Sequence, residues 1–129
     1  MDKKELVSLA LDAREKSYSP YSSFRVGAAL LTKNGKIYKG CNVENAAFSP
    51  TNCAERTAFF SAIADGERDF SAIAVAGGRD EVKEFCTPCG VCRQVMSEFC
   101  DKAFEIHTFN GEEIKTFTLG ELLPESFDL

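Results

Sequence analysis

Residues 53–100 read CAERTAFFSAIADGERDFSAIAVAGGRDEVKEFCTPCGVCRQVMSEFC, and three elements can be parsed from them. From Cys53 to Asp65 the residues are mostly helix formers. Ala54, Ala58 and Ala62 recur every four positions, and Gly66 supplies a stop. Ser71 to Ala76 is a short apolar run of small residues, as in a parallel strand covered on both faces. Pro88 suits the first turn of a second helix reaching about Cys100, with Val91, Val95, Met96 and Phe99 on its apolar side. Helix, strand and helix in succession, with cysteine opening both helices, set the frame for the rest of the chain.

On the N-terminal side, residues 2–17 carry Leu6, Leu9, Ala10 and Ala13 at helical spacing, with Asp2 and Glu5 placed for a capping box. Ser19-Pro20 ends that helix. Val26–Thr32 and Ile37–Val43 read as antiparallel strands joined by a two-residue turn at Asn34-Gly35. A loop from Glu44 to Thr51 leads to Cys53. On the C-terminal side, a strand near Ala103–Phe109, a turn at Asn110-Gly111, a strand near Glu113–Thr118 and a short helix through Leu123 complete the order α-β-β-α-β-α-β-β-α. That alternation predicts a three-layer α/β/α domain around a mixed five-stranded sheet. With 129 residues and no repeat or linker, residues 1–129 form one domain.

The chain is 44% hydrophobic and 27% charged, an ordinary globular balance. A formal charge of −5 without a basic stripe argues against binding long nucleic acid. No apolar run is long enough for a membrane span, and the charged, amphipathic start is unlike a signal peptide. The expectation is a soluble cytoplasmic domain.

Six cysteines stand at positions 41, 53, 86, 89, 92 and 100. In a reducing compartment they point to metal binding or thiol chemistry rather than disulfides. Cys53 opens one helix, and Cys89 and Cys92 lie at the start of the next. The unpaired N–H groups and partial positive charge of a helix N-terminus favour thiolates, the form Zn²⁺ binds. Three protein ligands would leave a fourth position for water, as in catalytic zinc sites. Glu55 stands two residues after Cys53, near enough to handle that water's protons. Spacing alone leaves the ligand set open, because Cys86 also makes a C-x-x-C with Cys89.

At these residues the chain resembles the cytidine deaminase family, in its small, homotetrameric, three-cysteine branch. The zinc nucleobase deaminases, with their glutamate acid/base and P-C-x-x-C motif, are a described class. The resemblance extends through blocks in family order: Tyr18–Phe24 (YSPYSSF), Val26–Leu31 (VGAALL), Gly40–Ala46 (GCNVENA), Asn52–Ala58 (NCAERTA), Pro88–Gln94 (PCGVCRQ) and Leu122–Phe127 (LLPESF). It implies one Zn²⁺ per subunit on Cys53, Cys89 and Cys92, with Pro88 marking Cys89 as the first cysteine of the pair. Glu55 would take the proton of the attacking water, pass it to N3 of cytosine and then protonate the departing amino group, which leaves as ammonia. The Ala54 N–H would hold the pyrimidine O2, Asn42 and Glu44 the ribose hydroxyls, and Phe24 the apolar face of the nucleoside. Phe127 would reach a neighbouring subunit's site. Arg56 and Gln94 would support the metal ligands, Arg56 by offsetting the charge of three thiolates.

The resemblance therefore implies deamination of cytidine and deoxycytidine to uridine and deoxyuridine in pyrimidine salvage. The substrate is a small nucleoside, with no nucleic acid or membrane partner. Other readings are a deaminase for a blasticidin-type nucleoside, a structural zinc module with Cys86 or Cys41 as fourth ligand, and a thiol oxidoreductase using Cys89 and Cys92. Cys41 and Cys100 read as small core residues, His107 as a half-buried strand residue and Cys86 as a bystander near the site. Two departures stand out. Ala47-Phe48 replaces the family's Ser-Tyr, which removes a phenol, and Gly77–Thr87 is longer and more charged than usual.

Overall fold

A computed structural model describes all residues, 1–129. The elements are α1 (Lys3–Arg14), β1 (Arg25–Thr32), β2 (Ile37–Cys41), α2 (Ala54–Ala64), β3 (Phe70–Gly78), α3 (Gly90–Phe99), β4 (Glu105–Phe109), β5 (Ile114–Thr118) and α4 (Leu119–Leu122). The five strands form one sheet in the order β2-β1-β3-β4-β5. β1 pairs antiparallel with both β2 and β3, β3 runs parallel to β4, and β5 returns antiparallel to β4. The sheet is mixed, and α3 is the crossover that joins its one parallel pair, as a right-handed β-α-β unit requires.

The period of two along β3 sorts the layers. Ala72, Ala74 and Ala76 face α1, where they pack with Leu6, Val7 and Ala10. Ile73 and Val75 face the other side, in a core with Phe59 of α2, Met96 of α3 and Ile106 of β4. Methyl side chains toward α1 and branched ones toward α2 and α3 explain why the sequence shows an unbroken small apolar run. Both sides are covered, so no position alternates to polar.

Element ends differ from expectation by a few residues. β2 stops at Cys41, because Val43 leaves the ladder to bridge Asn52 and Tyr18. Both turns are also built differently. Within these two turns only Gly35 (φ +90°) and Gly111 (φ +96°) take the left-handed region, so Asn34 and Asn110 do not supply the first residue of a two-residue type I′ turn. Instead, Thr32 N–H donates to Lys36 O across a three-residue loop, and the Asn110 side-chain oxygen accepts the N–H groups of Glu112 and Glu113.

Candidate active site

Cys53 is the N-cap of α2 and Cys89 the N-cap of α3, and neither side chain caps its own helix. Both sulfurs are therefore turned away from the backbone N–H groups that a serine or aspartate would satisfy. Cys92, in the first turn of α3, is buried. The three sulfurs lie within 4.8 Å of one another, with Cys53 and Cys89 3.7 Å apart. Two sulfurs on a tetrahedral zinc, each at about 2.3 Å, stand about 3.8 Å apart, so the trio fits that ion.

Arg56, in the first turn of α2, donates from Nη2 to Cys53 Sγ at 3.1 Å. Burial opposes its charge, but hydrogen bonds to Cys53 and Cys92 more than offset that cost and keep it protonated. The two cysteines titrate as a unit. A hydrogen bond from Cys92, with further help from Arg56, pulls Cys53 down to about 5, while that same bond and burial push Cys92 up. The Arg56 Nε is buried with no partner in the chain, so the guanidinium has unused donor capacity.

Glu55 is 4% exposed, and burial raises its carboxyl to about 7. Ala54, beside it in the first turn of α2, is fully buried, and the first N–H groups of that helix have no carbonyl partner within it. Cys86 lies outside the three-sulfur group. Burial, then the nearby Glu55 charge, pushes its thiol up to about 12. With Phe24, residues 77–81 and residues 83–85 it lines a cavity of about 350 Å³.

The Asn42 side chain is committed to the backbone. Its Oδ1 accepts Val26 N–H and the Ser17 hydroxyl, and its amide donates to Phe24 O. One amide hydrogen remains for a ligand. The Glu44 carboxylate accepts the N–H groups of Tyr21 and Ser22 and the Ser22 hydroxyl, the last of which does most to hold it below the usual carboxylate range. Phe127 is 69% exposed in the single subunit. Gln94 is exposed on α3 and its side-chain amide makes no hydrogen bond within the subunit.

Three contributors escape sequence reasoning. Arg93 ties the approach to α3 by donating to Pro88 O and Leu122 O, at 2.6 and 2.7 Å. Ser22 holds the Glu44 carboxylate with its N–H and hydroxyl, and Arg14 donates to the Gly78 carbonyl, partnerships that residue patterns do not display; only the position of Arg93 directly after Cys92 hinted at a role.

Residues 1–108 match the family model described as the cytidine and deoxycytidylate deaminase zinc-binding region. The chain is 48% identical over 128 residues to a cytidine deaminase of Sporosarcina psychrophila, covering 98% of this chain and 92% of that one. It is 34% identical over 125 residues to a blasticidin-S deaminase of Bacillus cereus, covering 93% and 88%. A crystal structure of cytidine deaminase from Burkholderia pseudomallei superposes with a TM-score of 0.91 at 48% identity, covering 98% of this chain and all of that one. The chain belongs to the cytidine and deoxycytidylate deaminase family. It is an enzyme of the hydrolase class, with the mixed-sheet α/β fold of that family.

Proposed function

We propose that the protein converts cytidine and deoxycytidine, with water, to uridine or deoxyuridine and ammonia, in pyrimidine salvage in the cytoplasm. The observation that carries this reading is a buried glutamate beside three converging cysteine sulfurs at two helix N-termini. Cys53, Cys89 and Cys92 hold one Zn²⁺ per subunit, which when bound supplies an activated water for attack at C4. Glu55 would take one proton of that water and deliver it to N3, then take the second proton from the same oxygen and deliver it to the amino group, which leaves as ammonia as the C4–N bond breaks. One carboxyl can serve as base and then as acid because each proton it takes up in one step is the proton it gives back in the next. The Ala54 N–H holds O2, Phe24 covers the base, and the spare Asn42 N–H and Glu44 carboxylate hold ribose hydroxyls. Arg56 offsets the negative charge of three thiolates.

The ribose contacts favour an ordinary nucleoside over a blasticidin-type one. A net charge of −5 and no basic groove favour a free nucleoside over nucleic acid. No helix is long and apolar enough to cross a membrane. The working form is a homotetramer in which Phe127 completes a neighbour's site. The test follows the fall in ultraviolet absorbance as cytidine becomes uridine, before chelation, after it and after zinc is restored. Turnover that survives complete metal removal would refute the reading.

A further inference from the structure

Beyond the residues that would touch substrate, a network of backbone carbonyls runs from α1 to Glu44. Arg14, in the last turn of α1, is 5% exposed. Its Nη2 donates to Gly78 O at 2.8 Å, Arg79 O at 3.0 Å and Asp80 O at 3.3 Å, and its Nε to Arg25 O at 3.2 Å. The closest carboxylate oxygen, of Glu15, is farther away at 3.8 Å. A buried guanidinium satisfied by carbonyls at the end of one strand and the start of another fixes the path of both. At Gly78 the chain leaves β3 for the segment that lines the cavity beside Phe24 and Cys86.

The exposed Arg79, whose carbonyl Arg14 holds, reaches back with Nε to Ser22 O at 3.3 Å. Ser22 is the residue whose N–H and hydroxyl both hold the Glu44 carboxylate. The next residue, Ser23, has φ +59°, a left-handed conformation that costs a non-glycine residue energy and persists where surrounding contacts enforce it. The cradle of Glu44 is thus a strained turn held from outside by Arg79, which is itself placed by Arg14.

We propose that Arg14 and Arg79 are positioning residues for Glu44, and through it for the ribose end of the substrate. This rests on the reading above that Glu44 meets a ribose hydroxyl. Arg79→Ala is the cleaner variant, because an exposed side chain is lost without opening the core; Arg14→Met tests the buried end of the network. In the zinc-loaded enzyme, Arg79→Ala should raise KM for cytidine about three- to tenfold, the range for losing one hydrogen bond, with kcat within about twofold. With 2′,3′-dideoxycytidine, which lacks the 2′- and 3′-hydroxyls that Glu44 would hold, the same variant should leave KM within about twofold. Calorimetric affinity for uridine should fall by the same factor as KM rises, and Arg79→Lys should restore part of it. Arg14→Met should change the two substrates in the same unequal way, read beside its thermal midpoint. An unchanged KM for cytidine in Arg79→Ala, an equal rise on both substrates, or a loss in kcat alone overturns the proposal. A wild-type enzyme inactive on cytidine would instead refute the function on which it rests.

Discussion

Glu55 illustrates how burial and chemistry are joined at a single residue. A carboxyl at 4% exposure sits uneasily as a permanent anion, and here burial has already raised it to about 7. Glu55→Gln keeps the shape and removes the exchangeable proton. We expect it to retain zinc and nucleoside binding while kcat falls at least about 10²–10⁴-fold, the usual share of acid–base catalysis. Turnover within tenfold of wild type would remove Glu55 from the mechanism. The cysteines pose a question that sequence left open, since Cys86 and Cys92 both stand three residues from Cys89. The reason the structure separates them is local. The helix begins at Gly90, so Cys89 caps it and Cys92 lies in its first turn, whereas Cys86 lies before it against Gly77 and Phe24. Metal analysis should find zinc lost in Cys92→Ala and kept in Cys86→Ala; the reverse pattern would replace Cys92 by Cys86 in the ligand set. Arg56 completes this scale. Three thiolates on Zn²⁺ would leave a net charge of −1, and the Arg56 guanidinium, 3.1 Å from one sulfur, is placed to offset it. Arg56→Gln should retain zinc but lower kcat about ten- to a hundredfold, the range for a hydrogen bond to a charged group. An unchanged kcat would mean that the two helix N-termini provide the compensating charge.

Helices and strands hold these residues in place through very close backbone approach. A Cβ built on Gly40 of β2 would lie 2.4 Å from Ala54 O and 2.5 Å from Ala58 N, both backbone atoms of α2. Because backbone cannot swing aside as a side chain can, Gly40→Ala must push α2 away, and with it Cys53 and Glu55. The expected cost is about 1–3 kcal/mol or more, with weakened zinc retention. Gly35→Ala is the control. It strains a left-handed turn, yet its Cβ would have no neighbour within 4 Å, so stability should fall by about 1 kcal/mol or less while zinc binding stays as in wild type. Thermal melts with metal analysis separate the two, and equal zinc loss in both would sever β2 packing from the site. Elements of this kind were legible where pattern and packing agree. The Ala54, Ala58, Ala62 spacing and the small run on β3 became the expected helix and strand, whereas Pro88, expected in the first turn of α3, lies one residue before its N-cap Cys89. The turns were less legible. Asn-Gly permits a two-residue turn, but Thr32 and Asn110 make side-chain bonds to nearby backbone that favour other loop geometries. Arg14 was wholly illegible, because its partners are carbonyls of residues 25 and 78–80 and a carbonyl has no letter.

At the scale of the molecule, the two sheet faces bury a core within one subunit, yet several large apolar side chains remain outside it. Phe48 is 88% exposed, Phe127 69%, Val91 57% and Phe60 48%. Scattered exposed apolar residues are ordinary on a monomer, but Val91 and Phe60 lie on the two helices that carry the cysteines. A second subunit covering that side would bury them and close the site from water, and closed symmetric assembly is the common way to do so. The expectation that Phe127 reaches a neighbouring site came from the family resemblance alone, because spacing within one chain does not display a surface shared between copies. Light scattering should therefore give a mass of about 57 kDa, four times the chain's 14.2 kDa. If Phe127 acts in a neighbour's site, Phe127→Ala should raise KM for cytidine while the tetramer persists. The decisive measurement mixes Phe127→Ala subunits with Glu55→Gln subunits after dissociation and reassembly. In hybrid tetramers, a site with an intact Glu55 from the first variant can receive an intact Phe127 from the second, so a fraction of sites should regain the wild-type KM. Were Phe127 to serve only its own subunit, every site with Glu55 would still lack Phe127, and mixing would dilute activity without lowering KM.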